Sequence, residues 1–219
     1  MSNCGNPIIA GMAIFEFELT HVEDILPWGE PGKQSLSWFA LTDGRFRMVV
    51  GEQVLFRYTD EILSHWGRAE RDADYQIAAF ARDVLGSVAA AVAPLSPRIE
   101  RLVSDWRLLM ELKQPIDGAR AEDDLWYEAW RWLGERSPWT SYLVACPTFQ
   151  FVRVGAELRI HWDNREQEID GLPVWTAQQG VHVMSVEAFL DECSDFVRRL
   201  LSAMRARCWN GGWNNEAAS

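Results

Sequence analysis

Cysteine is scarce in this sequence and is not spaced for metal binding. Its four copies, Cys4, Cys146, Cys193 and Cys208, include no CxxC pair, and the four histidines share no ligand spacing. Zinc sites and disulfide frameworks use closely spaced ligands. We therefore predict free thiols in a reducing compartment, with Cys146 and Cys193 in the core, and no metal or cofactor.

Long apolar runs are also missing. No Lys or Arg precedes the short apolar stretch near the amino terminus, and Glu16 interrupts that stretch early. A secretory signal needs a basic start, and a membrane span needs roughly 18 apolar residues. We expect a cytoplasmic protein that makes no contact with the membrane.

Basic residues are too few for binding to polyanions. The 21 Lys and Arg residues are outnumbered by 32 Asp and Glu residues, which gives a net charge of −11. Nucleic acids and anionic membranes are bound through basic surfaces, so the composition argues against both. A basic protein partner is favoured, and an acidic surface that serves only solubility is the alternative.

Familiar catalytic motifs are absent. The sequence contains no GxSxG, GxxxxGK[ST], HExxH or GxGxxG motif, so it predicts no nucleophile elbow, phosphate loop, zinc helix or dinucleotide turn. The best enzyme candidate is the set Arg159, His161 and Asp163, which share one face of a strand. These side chains could serve a small hydrolase or transferase as general acid or base; the other interpretation is a surface hydrogen-bonding role.

The clearest structural pattern is a hairpin at Gly155-Ala156, which suits a two-residue type II′ loop. Folding there pairs Phe151 with Ile160 and Phe149 with Trp162, and these four share an apolar face with Leu158. This period of two predicts a half-buried antiparallel ribbon. Its other face holds Gln150, Val152, Val154, Glu157, Arg159 and His161.

The amino-terminal part predicts an antiparallel meander. Apolar residues alternate with Glu16 and Glu18 over 13–19, which indicates a strand. Asp43-Gly44 predicts a type I′ hairpin and Gly51-Glu52 a type II′ hairpin. The strands expected around these turns are 36–42, 45–50 and 53–58.

Helical patterns occupy the rest of the chain. Thr59 is expected to cap a helix over 60–66 and Ser185 to cap the last helix, with further helices over 75–92, after Ser96-Pro97 and over 122–136. The element order predicts an α+β protein, in which an antiparallel β-meander and β-ribbon pack with a central helical block and a C-terminal amphipathic helix. We expect one domain over 1–219, which allows sub-lobes at 13–66, 72–136 and 139–208.

Acidic residues concentrate after the ribbon. Between 156 and 195 lie nine acids and only two bases, and those in the loop that leaves the ribbon are not explained by helix electrostatics. We predict that this loop belongs to a protein interface, formed by Asp163, Arg165, Glu166, Glu168 and Asp170. Exposed aromatic and arginine side chains dominate many interfaces, although core packing also explains the tryptophans. The exposed side of the 122–136 helix is therefore expected to add Asp124, Tyr127, Glu128 and Arg131.

Several short motifs resemble those of a family of uncharacterised bacterial proteins that is known only as a domain of unknown function. They are WFALTDG (38–44), VLFRYTDE (54–61), YLVACP (142–147), IHWDNR (160–165) and DGLPVWTA (170–177). The resemblance spans most of 14–206 and is weakest over 66–136. It implies a bacterial origin and a single-domain size, and it supplies no activity or catalytic residues.

From these observations we expect an acidic bacterial binding protein. An immunity or antitoxin protein that neutralises a cognate toxin by direct binding fits best, because complementary charge speeds encounter with a basic partner and excludes wrong ones. The alternatives are the enzyme described above and a structural or assembly subunit, in which the mixed face of the meander forms a homodimer interface.

Overall fold

The computed structural model describes residues 13–27, 30, 33–95, 97, 99–100 and 122–210. For residues 122–126 and 208–210 it describes the backbone alone. Most of the helix predicted after Ser96-Pro97 therefore lies outside the described residues, as does the side chain of Asp124.

The chain has an α+β fold with antiparallel sheets, as the sequence predicts. Its first sheet is built around a long central strand, and its members are β1 (Phe15–Leu19), β2 (Asp43–Val50), β3 (Gln53–Leu55) and β4 (Ala73–Gln76). β1 pairs with one side of β2. β3 and β4 share the other side, with β4 against the first half of β2 and β3 against the second.

The prediction of a hairpin at Asp43-Gly44 is wrong. Residues 40–42 form a 3-10 turn and not a strand, and Asp43 and Gly44 begin β2. Gly44 lies opposite Leu19 of β1. A side chain there would lie 2.9 Å from the Leu19 Cα and still closer to the Glu18 backbone oxygen. The glycine is thus required by the close approach of a neighbouring strand and not by a left-handed turn.

The second predicted hairpin of the meander is confirmed. β2 and β3 are joined by Gly51-Glu52, with Val50 opposite Gln53 and a left-handed Gly51 (φ 63°). The strand expected to run to residue 58 ends at Leu55, because Phe56 has a φ of 66° and turns the chain. This turn breaks the alternation and places both Phe56 and Tyr58 in the core.

The second sheet contains the predicted ribbon. The remaining strands in the part of the chain that the structure describes are β5 (Phe149–Val154), β6 (Glu157–Asp163), β7 (Glu168–Ile169), β8 (Leu172–Pro173) and β9 (Gln179–Ser185). β5, β6 and β9 form one antiparallel sheet in that order, and β7 and β8 form a separate small hairpin. The predicted pairs Phe151–Ile160 and Phe149–Trp162 are confirmed, and Gly155 in the turn is left-handed.

Among the described residues, four helices have assigned bounds: α1 (Asp60–Trp66), α2 (Ile77–Val92), α3 (Glu122–Gly134) and α4 (Val186–Asn210). The predicted caps are confirmed, because the side-chain oxygens of Thr59 and Ser185 accept hydrogen bonds from the backbone of the first turns of α1 and α4. α2 begins two residues later than predicted, since 73–76 pair with β2 instead. Within the described residues, no helix has the length and apolar character needed to cross a bilayer.

Helices α2 and α4 pack the two sheets into a shared core. The ring of Phe15 from β1 stacks on Phe196 of α4 at 5.1 Å, and that of Phe46 from β2 stacks on Phe80 of α2 at 4.3 Å. One cluster of buried apolar residues extends from Ile14 to Met204 and includes side chains of both sheets. Burial of such large rings supplies most of the driving force for this arrangement.

The outer face of the second sheet is more deeply buried than the sequence predicts. α3 lays Ala129, Trp132 and Leu133 against Val152 of β5. Gln150 and His161, which the sequence placed on a polar face, are also buried. The cysteine prediction is half right, because Cys193 is buried in the core whereas Cys146 is exposed.

Candidate functional site

The acidic loop, residues 163–170, is held in place by a buried asparagine. The Asn164 Oδ1 accepts a hydrogen bond from the Thr148 backbone N–H at 2.7 Å, and its Nδ2 donates to the Ala177 carbonyl at 3.0 Å. Its backbone N–H donates to the Gln178 carbonyl at 2.6 Å. Because Asn164 is almost fully buried, these bonds fix the base of the loop to the second sheet.

The far side of the acidic loop docks on α1. Asp170 and Gly171 have φ values of 53° and 75°, which suit the tight turn between β7 and β8. The Asp170 Oδ2 lies 3.0 Å from the His65 Nε2 of α1. The Thr59 hydroxyl, which caps α1, also donates to the Pro173 carbonyl at 2.6 Å. The loop therefore has attachments at both ends.

The charges of the acidic loop are unequally compensated. Asp163 accepts a bidentate pair from Arg165, at 2.9 Å from Nε and 2.8 Å from Nη2, and this pairing raises the pKa of Arg165. Asp170 faces His65. Glu166 and Glu168 are exposed, and neither makes a salt bridge within the part of the chain that the structure describes. Among the described residues, these two carboxylates are therefore the ones in the loop that no Arg, Lys or His side chain pairs with.

The second predicted interface segment lies on α3. Tyr127 and Trp130 are 59% and 54% exposed, and Arg131 points outward and pairs with Glu135 at 3.2 Å. Glu128 is half-buried and makes a further interaction. The outward direction predicted for Tyr127 and Arg131 is thus confirmed. α3 is attached to the outer face of β5 and the acidic loop to α1, so the fold anchors the two segments to different elements.

The residues of the enzyme alternative do line one face of β6, but their surroundings limit their chemistry. Burial, together with the nearby Arg159 guanidinium, lowers the pKa of His161 to about 4. The Arg159 Nη2 lies 3.3 Å from the Glu157 Oε2, and the Asp163 carboxylate is engaged by Arg165. The imidazole is therefore neutral near pH 7, so it is a poor proton donor and only a weak base.

The first sheet carries a ladder of opposite charges that the sequence patterns do not predict. The Arg47 Nε donates to the Glu16 Oε2 at 2.7 Å and its Nη1 to the Asp72 Oδ2 at 2.9 Å, while the Arg57 Nε donates to the Asp72 Oδ1 at 3.1 Å. Glu16, Arg47 and Asp72 of this ladder line a groove of about 320 Å³. The alternation of Glu16 and Glu18 with apolar residues was the available signal, but its partners become visible only once β1 is paired with β2.

A larger open groove lies at the end of the same sheet. It measures about 610 Å³, and its walls combine Ile25, Leu26 and Tyr75 with Asp43 and Asp74. Burial and the nearby Asp74 raise the pKa of Asp43. Among the described residues, no three His, Cys, Asp or Glu side chains are grouped so that they could hold a metal ion together.

Comparison with known proteins identifies a family without an assigned activity. No curated protein and no solved structure matches the chain significantly. The model of one family matches residues 14–210, and its description is a family of unknown function. Since this match covers both sheets and the full span of α4, the chain belongs to the family of unknown function DUF5984.

Proposed function

We propose that the chain is a binding protein for a basic partner protein, and that it acts as a cytoplasmic immunity or antitoxin protein against a cognate toxin. The observation that carries the proposal is the fixed acidic loop. Its base is hydrogen-bonded through Asn164, while Glu166 and Glu168 project into solvent and make no salt bridge to any residue that the structure describes. A charged surface held in one conformation loses little entropy when a partner binds.

The distribution of charge supports a cationic partner. The ladder on the first sheet pairs Glu16 and Asp72 with Arg47 and Arg57, so these acids contribute little net field. The excess of 32 acids over 21 bases must therefore reside elsewhere, and the acidic loop is one place where it is concentrated. Such a field raises the association rate with a basic protein at low ionic strength.

The exposed aromatic residues of α3 offer the second component that tight interfaces need. Charged pairs at an interface rim mainly set the encounter rate, whereas buried Trp, Tyr and Arg side chains supply most of the binding energy. Tyr127, Trp130 and Arg131 present these types to solvent within one helical turn. We propose that the exposed side of α3 supplies most of the binding energy and that the acidic loop raises the association rate.

Co-expression tests the proposed role in the cell. The protein encoded beside this chain is expressed in a heterologous bacterium, with and without the chain, and growth is recorded. We expect growth arrest by the neighbour alone and rescue by the chain. A neighbour that leaves growth unaffected, or arrest that the chain does not relieve, counts against the antitoxin role.

Binding measurements test the surface. Calorimetric titration of the chain with that neighbour compares the double variant Glu166→Gln, Glu168→Gln with Glu23→Gln, Asp24→Asn, which removes two exposed charges from a different element. We expect roughly tenfold weaker binding and a flatter salt dependence for the loop variant only. Equal effects of the two variants would mean that net charge acts without a defined site.

A further inference from the structure

β9 is an edge strand whose outward hydrogen-bonding groups can be identified from the ladder. The Val186 backbone N–H donates to the Ala156 carbonyl, and the Asn164 N–H donates to the Gln178 carbonyl. Both pairs continue the register of β6 with β9. Because bonded and non-bonded pairs alternate in an antiparallel ladder, the even-numbered residues of β9 bond to β6. The N–H and C=O groups of the odd-numbered ones point away from the sheet.

The two edges of the second sheet differ in how they are covered. On the β5 edge, the Phe151 N–H donates to the Arg136 carbonyl at 3.0 Å, so the chain that follows α3 occupies that side. On the β9 edge, no backbone group among the described residues bonds to the outward groups of Val181 or Val183. β9 is therefore the side on which the sheet can be extended.

β9 has none of the features that prevent edge-to-edge pairing. Its sequence, QGVHVMS, contains no charged residue and no proline, and its pairing with β6 runs through seven residues without a bulge. Val181 and Val183 are 51% and 46% exposed on its outer face. Natural edge strands are usually interrupted by lysine, proline or a bulge. β9 has no such protection, although the chain is highly charged, with a net charge of −11. We therefore infer that the edge of β9 is a pairing surface.

We propose that β9 pairs in antiparallel orientation with β9 of a second copy of this chain, with His182 on the two-fold axis, and joins the two sheets into one of six strands. This register pairs all of the outward-bonding residues: Gln179 with Ser185 of the second copy, Val181 with Val183, and the two symmetry-related pairs. About six inter-chain backbone bonds result, because the carbonyl of Ser185, the N-cap of α4, is used by the first turn of that helix. A shift by two residues in either direction leaves one of these residues unpaired.

The side chains of β9 are self-complementary in this register. On the outer face, valine lies opposite valine and Gln179 lies opposite Ser185 of the second copy, so apolar groups meet apolar groups and polar groups meet polar ones. On the inner face, Gly180 lies opposite Met184 of the second copy, a small residue against a large one. No two carboxylates are brought together along the strand, which favours a second copy over a basic partner as the occupant.

Sedimentation velocity of the full chain over a concentration series tests the proposal. We expect a monomer–dimer equilibrium, and a dimer dissociation constant raised about tenfold or more by the double variant Val181→Lys, Val183→Lys, because lysines then face lysines across the axis. Val144→Lys, at a valine that is 43% exposed, is the matched control and should leave the constant unchanged. Mixing the lysine variant with Val181→Glu, Val183→Glu should restore a heterodimer.

A second variant keeps the test decisive if the lysine variant is poorly folded. Val183→Pro removes only an N–H that points away from β6, a position where edge strands accept proline, and it should also abolish the dimer. A wild-type chain that stays monomeric at millimolar concentration overturns the proposal. So does a dimer that the lysine and proline variants leave intact, or a lysine–glutamate mixture that forms no heterodimer.

Discussion

Gly44→Ala tests whether the glycine is required by packing or by a turn. In the structure, Gly44 is an ordinary extended residue whose missing side chain makes room for the backbone of Glu18 and Leu19. A methyl group there would lie 2.9 Å from the Leu19 Cα and closer still to the Glu18 oxygen. Both neighbours are backbone atoms, so no side-chain rotation can relieve the overlap.

The expected cost follows from what must move. Either β1 shifts away from β2 by several tenths of an ångström, which lengthens its hydrogen bonds, or the first pairs of the ladder open. Overpacking of this kind costs about 3 kcal/mol. For a chain of about 200 residues, each kcal/mol lowers Tm by roughly 2–4 °C, so we expect Gly44→Ala to melt roughly 6–12 °C below the parent protein.

Two further substitutions make the measurement diagnostic. Gly86 lies in α2 with no atom near the position of an added methyl group, so Gly86→Ala should raise stability by about 0.5–1 kcal/mol. Gly44→Asn separates the two explanations, because asparagine accepts a left-handed turn but carries the same Cβ as alanine. Thermal melts followed by circular dichroism suffice. An asparagine variant as stable as the parent, or an alanine variant within about 2 °C of it, refutes the packing argument.

Three other predictions concern buried polar groups. Asn164→Ala leaves two backbone partners unsatisfied and should cost about 2–4 kcal/mol in urea unfolding. Thr59→Ala loses the α1 cap and the bond to Pro173 and should cost about 1–2 kcal/mol, whereas Thr59→Ser should cost little. The pKa of His161 is about 4 in the folded chain, below the ordinary value of 6.5 that applies to the unfolded chain. The unfolded chain therefore takes up a proton at higher pH than the folded chain does, and the free energy of unfolding falls as the pH drops from 6.5 to 4. His161→Gln should remove about 3 kcal/mol of the stability lost between pH 7 and pH 4.

Each of these predictions has an outcome that contradicts it. Asn164→Ala unfolding at the parent urea midpoint would mean that water replaces both hydrogen bonds. A serine at position 59 as destabilising as alanine would remove the hydroxyl from the explanation. A His161→Gln protein with the same pH dependence as the parent would show that the imidazole does not resist protonation.

The second sheet could be predicted from the sequence because its information is local. The turn at Gly155-Ala156 and the alternation on both sides of it fix the register within fourteen residues, from Phe149 to Trp162. The β2–β3 hairpin at Gly51-Glu52 was predictable for the same reason. Local turn chemistry and hydrophobic period reinforce one another in both hairpins.

The first sheet was mispredicted where a distant strand outweighs a local signal. Asp-Gly is a strong hairpin dipeptide, yet β1, which lies more than twenty residues earlier in the chain, pairs with β2 through Gly44. β4 was missed because Ala73–Gln76 adjoins an alanine-rich helix and has no alternation of its own. Both strands are held by partners that a local pattern does not reveal.

The predicted site residues show the same division. Composition identifies Glu166 and Glu168, because an excess of acids in a loop needs no structure to be noticed. It does not identify Asn164, whose role depends on Thr148 and Ala177 approaching from either side. Nor does it show that Asp163 is compensated by Arg165, since salt-bridge geometry depends on how the chain leaves β6.

The proposed β9 dimer and the proposed binding role of the acidic loop are compatible, because the fold would keep the acidic loops of the two copies apart. Asp163, where the acidic loop begins, lies opposite Gln179 at one end of β9. In the proposed antiparallel dimer, Gln179 of each copy lies beside Ser185 of the other, so the two acidic loops begin at opposite ends of the paired strands, offset by about 20 Å along them. That separation exceeds the Debye length of about 8 Å at physiological salt. Mutual repulsion of the loops would therefore be weak, and the proposed dimer would present two acidic surfaces to the proposed basic partner.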